Sequence, residues 1–199
     1  MKVNIRRYIG EGALIVFSVL FALFINQTFE DYRIRKKKDI AKESILKEIK
    51  RNQETLNQWK TTHAGFSKRI KDMHEGRADS LKVALFKGGF LNIGVLTNGK
   101  SFANDFLSMT AWESARTTGI ITEFDYETIE MLTEVYTVQD LLVNKTLMGL
   151  LDSYFDPNTH NLENKDRTMM HFRVRIMELT SQEQFMGRVY KNAIKRLEE

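Results

Sequence analysis

The chain has 199 residues, no cysteine, one proline and a formal net charge of +4. The lack of cysteine excludes disulfides and thiolate metal sites. The excess positive charge lies within residues 1–38, where eight Lys or Arg accompany three acids, so residues 39–199 hold 22 basic and 23 acidic side chains of the totals of 30 and 26. A balanced domain without a basic stripe excludes nucleic acid as an expected partner.

The first predicted element is an apolar segment over residues 9–25, interrupted only by Gly10, Glu11, Gly12 and Ser18. As a helix it spans about 26 Å, close to the hydrocarbon thickness of a bilayer. No Ala-x-Ala cleavage site follows it, so we expect residues 1–29 to be a tail and an uncleaved transmembrane anchor. A cleaved signal peptide and a buried helix are the alternatives. Tyr8 and Phe29 suit the two interfaces.

Charges beside this segment bear on its orientation. Three basic residues (Lys2, Arg6 and Arg7) precede it, and five follow it at 33 and 35–38. A strict count favours a cytoplasmic C-terminal side, whereas Arg6 and Arg7 are nearest to the apolar run and favour a cytoplasmic N-terminus. We expect the latter. Glu11 either reaches headgroup water near Arg7 or contacts a partner helix, and the basic residues are expected to contact anionic lipid.

Residues 30–60 are predicted to continue the helix as a basic juxtamembrane stalk. Its apolar positions follow steps of three and four, a pattern that indicates one narrow packing seam. The pattern fits a stripe in the core of this chain or a dimer seam, and we favour the core stripe. The seam positions are Ile34, Ala41, Ile45, Ile49, Asn52, Leu56 and Trp59.

Residues 61–199 are predicted to form a helical bundle domain, so the fold class is all-α. Gly76 is expected to end the first helix, and Asp79 or Ser80 to begin a short one that reaches Phe86. Asn98-Gly99 predicts a turn. The following helix is expected to end at Gly119.

The second half of this domain is predicted to hold three helices. Asp125 begins a long one that Pro157 terminates, and residues 165–178 form the next. Thr180 and Glu183 have the spacing of a capping box and predict that the last helix begins there. The apolar residues Phe185, Val189, Ala193 and Leu197 follow at steps of four.

Residues 94–101 match the phosphate-binding pattern G-x-x-x-x-G-K-[ST]. Such a loop needs a parallel sheet, and only residues 119–125 read as a further strand. We interpret the match as a glycine-containing surface loop. A nucleotide binder that uses Lys100 and Ser101 remains the weakest alternative.

No residue is assigned as catalytic, as cofactor-binding or as a metal ligand, and no cofactor or enzymatic activity is expected. The four histidines, His63, His74, His160 and His171, have no metal-binding spacing. Trp59 and Trp112 are expected to anchor the core.

The segment from Ile9-Gly10-Glu11 to Asn26, followed by Trp112-Glu113 with Gly119 and by Leu132 with Tyr136, resembles a family of uncharacterised bacterial single-pass membrane proteins. The resemblance implies a signal-anchor helix in the bacterial inner membrane with the helical domain in the periplasm. It implies no activity.

The expected function is therefore a membrane-anchored, non-enzymatic helical domain that binds or scaffolds another envelope protein. The expected partners are membrane lipid and an envelope protein or a second copy of the chain. A ligand-sensing ectodomain that acts through a partner is the alternative.

Overall fold

The computed structural model describes the backbone of residues 5–199 and the side chains of residues 11–199. Lys2 and the side chains of Arg6, Arg7 and Tyr8 therefore lie outside the described residues. Throughout the described range the chain is α-helical with short 3-10 turns and contains no strand, as the all-α prediction requires.

The first helix, α1, runs without a break over Ile5–His74, 70 residues or about 105 Å. The apolar part at its beginning is long and apolar enough to cross a membrane, and none of it is buried against the rest of the chain. The large side chains from Leu14 to Phe24 are all exposed. A soluble helix would hide such side chains in a core, so this part of α1 lacks the burial that the soluble alternative requires.

The bundle is built from α1 and the elements that follow it. The helices are α2 (Asp79–Leu85), α3 (Ile93–Thr97), α4 (Thr110–Thr117), α5 (Tyr126–Asp140), α6 (Met148–Phe155) and α7 (Lys165–Glu198). A π-helical segment, Leu141–Leu147, joins α5 to α6, so residues 126–155 form one rod. Three 3-10 turns lie at Ile120–Glu123, Pro157–His160 and Leu162–Asn164.

Long-range contacts fix the directions of the three long elements. Lys50 of α1 pairs with Glu198 at 2.6 Å, and His63 meets Glu183, so α7 runs antiparallel to α1. Tyr136 of α5 bonds to Glu48 of α1 and Gln139 bonds to Asn52, so the rod of residues 126–155 runs parallel to α1. Between them, residues 75–125 cross the far end of the bundle and return along α1. The result is a three-helix bundle with one long crossover.

The core reaches further toward the apolar segment than the domain boundary at residue 61 suggested. Ile45, Ile49, Leu56 and Trp59 are buried, and Ala41 packs against the same core. The packed domain therefore begins near residue 41, and only residues 26–40 separate it from the apolar run that ends at Ile25. These residues pack against their own chain, as expected for the core stripe.

Local signals set most helix ends as predicted. Gly76 and Gly119 follow α1 and α4 with positive φ angles of 70° and 73°, which favour glycine. The Asp125 carboxylate accepts a hydrogen bond from the Thr128 amide at 2.8 Å and caps α5. Residues 119–125 hold the 3-10 turn Ile120–Glu123 instead of a strand.

The predicted helix start at Thr180 is wrong, because α7 is continuous. The Thr180 hydroxyl donates back to the Ile176 carbonyl at 3.0 Å, which is ordinary for a threonine inside a helix. Glu183 is buried and turns to His63 across the bundle, so it does not reach back to the Thr180 amide.

Candidate functional site

A groove of about 830 Å³ lies at the end of the bundle nearest to the apolar segment. One wall is α1, and the other is α4 with the 3-10 turn after it. The lining begins nine residues beyond Ile25 and ends at Arg51, about 14 to 39 Å along the helix axis. Because headgroups add only about 5–8 Å to the hydrocarbon, an upright helix would hold the groove above the lipid surface.

The α1 wall presents one face of the helix. Its lining residues are separated by three or four positions, the spacing that places side chains above one another on a single face. They are Ile34, Lys37, Ala41, Ser44, Glu48 and Arg51. Ile40 and Lys47 also line the groove. Ile40 is 55% exposed, so apolar surface remains open to solvent here.

The opposite wall is made of small side chains. Ala111, Ser114, Ala115 and Thr118 face the groove from α4, and Gly119 follows them. The Thr118 hydroxyl donates to the Ser114 carbonyl at 2.7 Å, so its polar group is satisfied within the helix. Small side chains let another backbone approach closely, as they do where two helices cross.

Glu48 holds the two walls together. Its carboxylate accepts hydrogen bonds from the Ser108 hydroxyl at 2.7 Å, the Ala111 amide at 2.8 Å and the Tyr136 hydroxyl at 2.8 Å. Met109, the residue before α4, offers no capping side chain. Glu48 therefore caps α4 from another helix, where a negative charge also favours the helix N-terminus.

Burial and the negative charge of Glu48 both affect Tyr136. Removal from water is the main cause that raises the pKa of the Tyr136 hydroxyl, and the neighbouring Glu48 carboxylate raises it further. The hydroxyl therefore stays protonated and remains a donor to Glu48 at any physiological pH. Trp112 stacks on the Tyr136 ring with 5.1 Å between centroids, which fixes α4 against α5.

A second group of polar side chains fixes the non-helical chain just before α4. Asn52 accepts from the Ser108 amide at 2.8 Å and donates to the Ser108 carbonyl at 2.6 Å. Its amide also donates to Gln139 at 3.1 Å, and Gln139 accepts from the Tyr190 hydroxyl at 2.7 Å. We call Glu48, Asn52, Ser108, Tyr136, Gln139 and Tyr190 the brace. It ties α1, α5 and α7 to the segment that forms the groove.

Beyond the brace lies a buried pair, His63 and Glu183. The His63 Nδ1 atom is 2.5 Å from a Glu183 oxygen, and Nε2 is 2.7 Å from the Phe102 carbonyl. Since the carbonyl can only accept, Nε2 carries a proton, and one further proton lies between His63 and Glu183. The second Glu183 oxygen and the Trp59 indole nitrogen are buried without a partner among the described residues.

The groove lining carries charges of both signs. Three cations, Lys37, Lys47 and Arg51, line it on the α1 side, and the acids are Glu48, which is bonded within the brace, and Glu123 opposite. Lys47 pairs with Glu43 at 2.7 Å, and Arg51 lies 3.7 Å from Asp105, both at the exposed surface. Exposed pairs of this kind are weak and exchange readily, so the cations remain available to a ligand.

Residues 94–101 do not form a phosphate-binding loop in this fold. Residues 94–97 lie within α3, and no helix follows Ser101 until α4 begins at Thr110. The amides are also occupied: Gly94 donates to the Asn92 side chain, Gly99 to the Gly94 carbonyl and Lys100 to the Thr97 carbonyl. A loop that binds phosphate must leave such amides free.

The other residues considered from sequence are scattered. Trp59 and Trp112 are buried in the core as predicted. His63 is in the core, His160 is half-buried, and His74 and His171 are exposed. Within the described part of the chain no three His, Asp or Glu side chains are grouped as a metal site.

Sequence reasoning missed the groove and the brace. Glu48 belonged to the charged outer face of the predicted stalk, and its capping partners lie more than 60 positions away. Asn52 was the one available signal, because it occupies a seam position among apolar residues. Comparison of the chain with models of known protein families, with curated proteins and with solved structures gives no match.

Proposed function

We propose that this chain is a membrane-anchored, non-enzymatic domain that binds an acidic, amphipathic helical segment of another envelope protein in the groove. One observation supports this most directly: the α1 wall has helical spacing, faces small side chains and carries the cations Lys37, Lys47 and Arg51. A helix with apolar residues on one face and Asp or Glu beside them is complementary to such a groove.

The anchor completes the proposal. The apolar part of α1 would lie in the bacterial inner membrane, and Arg33, the basic residue that follows it most closely, would reach toward the anionic headgroups. The bundle would then face the periplasm with its groove just above the membrane. Protease digestion of the C-terminal region in spheroplasts tests this orientation, because protection of that region would place the bundle in the cytoplasm.

The binding experiment uses the full chain in detergent micelles and a synthetic amphipathic helix with Leu and Ala on one face and Glu on its flanks. The same peptide with Lys in place of Glu is the matched probe. We expect fluorescence anisotropy to show binding of the acidic peptide that weakens as salt increases, and no binding of the basic one. Equal binding of both peptides would contradict the proposal.

A substitution that fills the groove is the second test of peptide binding. Ser114→Trp places a large ring among the small side chains of the α4 wall and is expected to abolish peptide binding. Ser80→Trp makes the same change at an exposed position of α2, away from the groove, and should leave binding unchanged. Retention of binding by the Ser114 variant would place the peptide elsewhere.

A ligand-sensing ectodomain remains the second candidate because of the groove's volume. About 830 Å³ lies within the range of about 300–1,000 Å³ that small-molecule sites occupy. Thermal-shift screening of the full chain against small anionic metabolites tests this. Stabilisation that Ser114→Trp removes and Ser80→Trp retains would favour the sensor over the scaffold.

A further inference from the structure

The outward face of α7 carries an apolar stripe far from the groove. Met170, Val174 and Met177 are 47%, 55% and 53% exposed, and their spacing of four and three places them on one face. The residues between them, Phe172 and Ile176, are buried in the core. The stripe is therefore on the side of α7 that is turned away from the bundle, and no described element covers it.

Charges beside the stripe distinguish a second copy packed parallel to the first from one packed antiparallel. In a heptad register with Met170 at d, Val174 at a and Met177 at d, Arg173 is at g and Glu178 at e. In two parallel copies a g residue faces the e residue five positions later on the partner helix. Arg173 of each copy would therefore pair with Glu178 of the other copy. An antiparallel arrangement would place Arg173 near Arg173, which is unfavourable.

Few charged groups within the same chain compete with the partner copy for Arg173 and Glu178. Among the residues that the structure describes, Arg173 makes no ion pair, and the nearest cation to Glu178 is Arg175 at 3.9 Å. Asp166 and His171 are also five positions apart, at g and e. Asp166 is held by Lys82 at 3.0 Å in an exposed pair.

We infer that α7 joins two copies of this chain, side by side and parallel, through Met170, Val174 and Met177 with Arg173–Glu178 pairs between them. The inference rests on the proposed membrane anchor, because two copies inserted in one bilayer with the same orientation hold their α7 helices parallel. Confinement in the bilayer raises the effective concentration of the second copy, so a short contact between the two α7 helices is enough.

The stalk is a poorer seam for the same dimer. Residues 35–38 are four consecutive basic side chains, and close pairing of two such helices would bring like charges together. The apolar stalk positions from Ile45 onward are already buried in their own bundle. The α7 face combines exposed apolar surface with complementary flanking charges.

Cysteine crosslinking tests the inference cleanly, because the native chain contains no cysteine. In proteoliposomes of the full chain, Val174→Cys is expected to form a disulfide dimer several-fold faster than Met148→Cys. Met148 is an exposed apolar residue of α6 and controls for random collision. Equal rates at the two positions, or no dimer at position 174, would overturn the inference.

Charge reversal tests the register. Arg173→Glu, added to the Val174→Cys variant, is expected to slow disulfide dimer formation. Further addition of Glu178→Arg should restore the rate, because the pair is then reversed. Failure of the doubly reversed chain to recover would overturn the parallel register.

The same vesicles separate this inference from the proposed groove. Ser114→Trp should block binding of the acidic peptide and leave crosslinking at position 174 unchanged. Peptide binding without crosslinking would overturn only the dimer, and crosslinking without peptide binding would overturn only the groove.

Discussion

The two ends of the bundle are held by different chemistry. Near the apolar segment, the brace buries a carboxylate, amides and phenols between α1, α5 and α7. At the far end, the core is formed by apolar side chains such as Ile70, Leu85, Leu96, Met169 and Phe172, and its buried polar groups are threonines. Apolar packing supplies stability without direction, whereas hydrogen bonds fix position. The braced end is where the groove is held open.

The far end is expected to show the largest loss of stability. Phe172→Ala removes a buried ring from the apolar core and should lower the free energy of unfolding by about 3–5 kcal/mol. Urea unfolding of the full chain in micelles measures this. Phe155→Ala, at an exposed ring on α6, is the control and should have little effect. Peptide binding to the folded Phe172→Ala variant should remain. Loss of binding would contradict the claim that the far end supplies stability and the braced end holds the groove.

The braced end is expected to lose less stability and more function. Glu48→Gln removes the charge that caps α4 and leaves a donor facing amide and hydroxyl donors, at a cost of about 1–3 kcal/mol. Hydrogen exchange should quicken in α4 while α2 and α3 keep their protection. Glu54→Gln, on the exposed side of the same helix, is the control. Uniform acceleration throughout the bundle would contradict a local brace.

Substitutions at two glycines are expected to change stability by smaller amounts and in opposite directions. A Cβ at Gly119 would meet nothing within 4 Å, so Gly119→Ala suffers only from the positive φ of 73° and should destabilise by about 1–2 kcal/mol. Gly65 lies inside α1, also with open space, and Gly65→Ala should stabilise by about 0.5–1 kcal/mol. Thermal unfolding of both variants measures the difference, and the same sign for both would contradict these backbone assignments.

The smallest effect concerns acid. Hydrogen bonds from the hydroxyl and amide of Thr128 lower the pKa of Asp125. A lowered folded-state pKa means that this cap contributes fully above the unfolded value of about 3.9 and is lost as the pH falls through the folded value. The protection of the Thr128 amide, taken relative to its intrinsic exchange rate at each pH, should therefore fall on acidification below about pH 4 in the native chain. Asp125→Asn should not show that change, and identical profiles would contradict the cap.

The sequence predicted those features that short-range chemistry decides. Gly76, Gly119, Asp125 and Pro157 mark helix ends because each acts on neighbouring backbone groups. The buried tryptophans were also predictable, since large aromatic side chains favour a core.

The features that long-range contacts decide were not predictable in this way. Thr180 and Glu183 have the local spacing of a helix start, yet His63, 120 positions away, takes the Glu183 carboxylate. The start of α4 depends on Glu48, and the groove requires the crossover to return beside α1. The bundle begins near residue 41 for the same reason, because the crossover and α7 cover α1 from about that residue onward.

Photocrosslinking in intact cells tests the central claim that the groove is a docking surface for a protein. A photoreactive residue at Ser114 is expected to yield one predominant protein adduct that is absent when it is placed at Ser80. Lys37→Glu combined with Arg51→Glu should remove that adduct while the chain remains folded. The same adducts from both positions, or adducts with lipid alone from Ser114, would contradict the account.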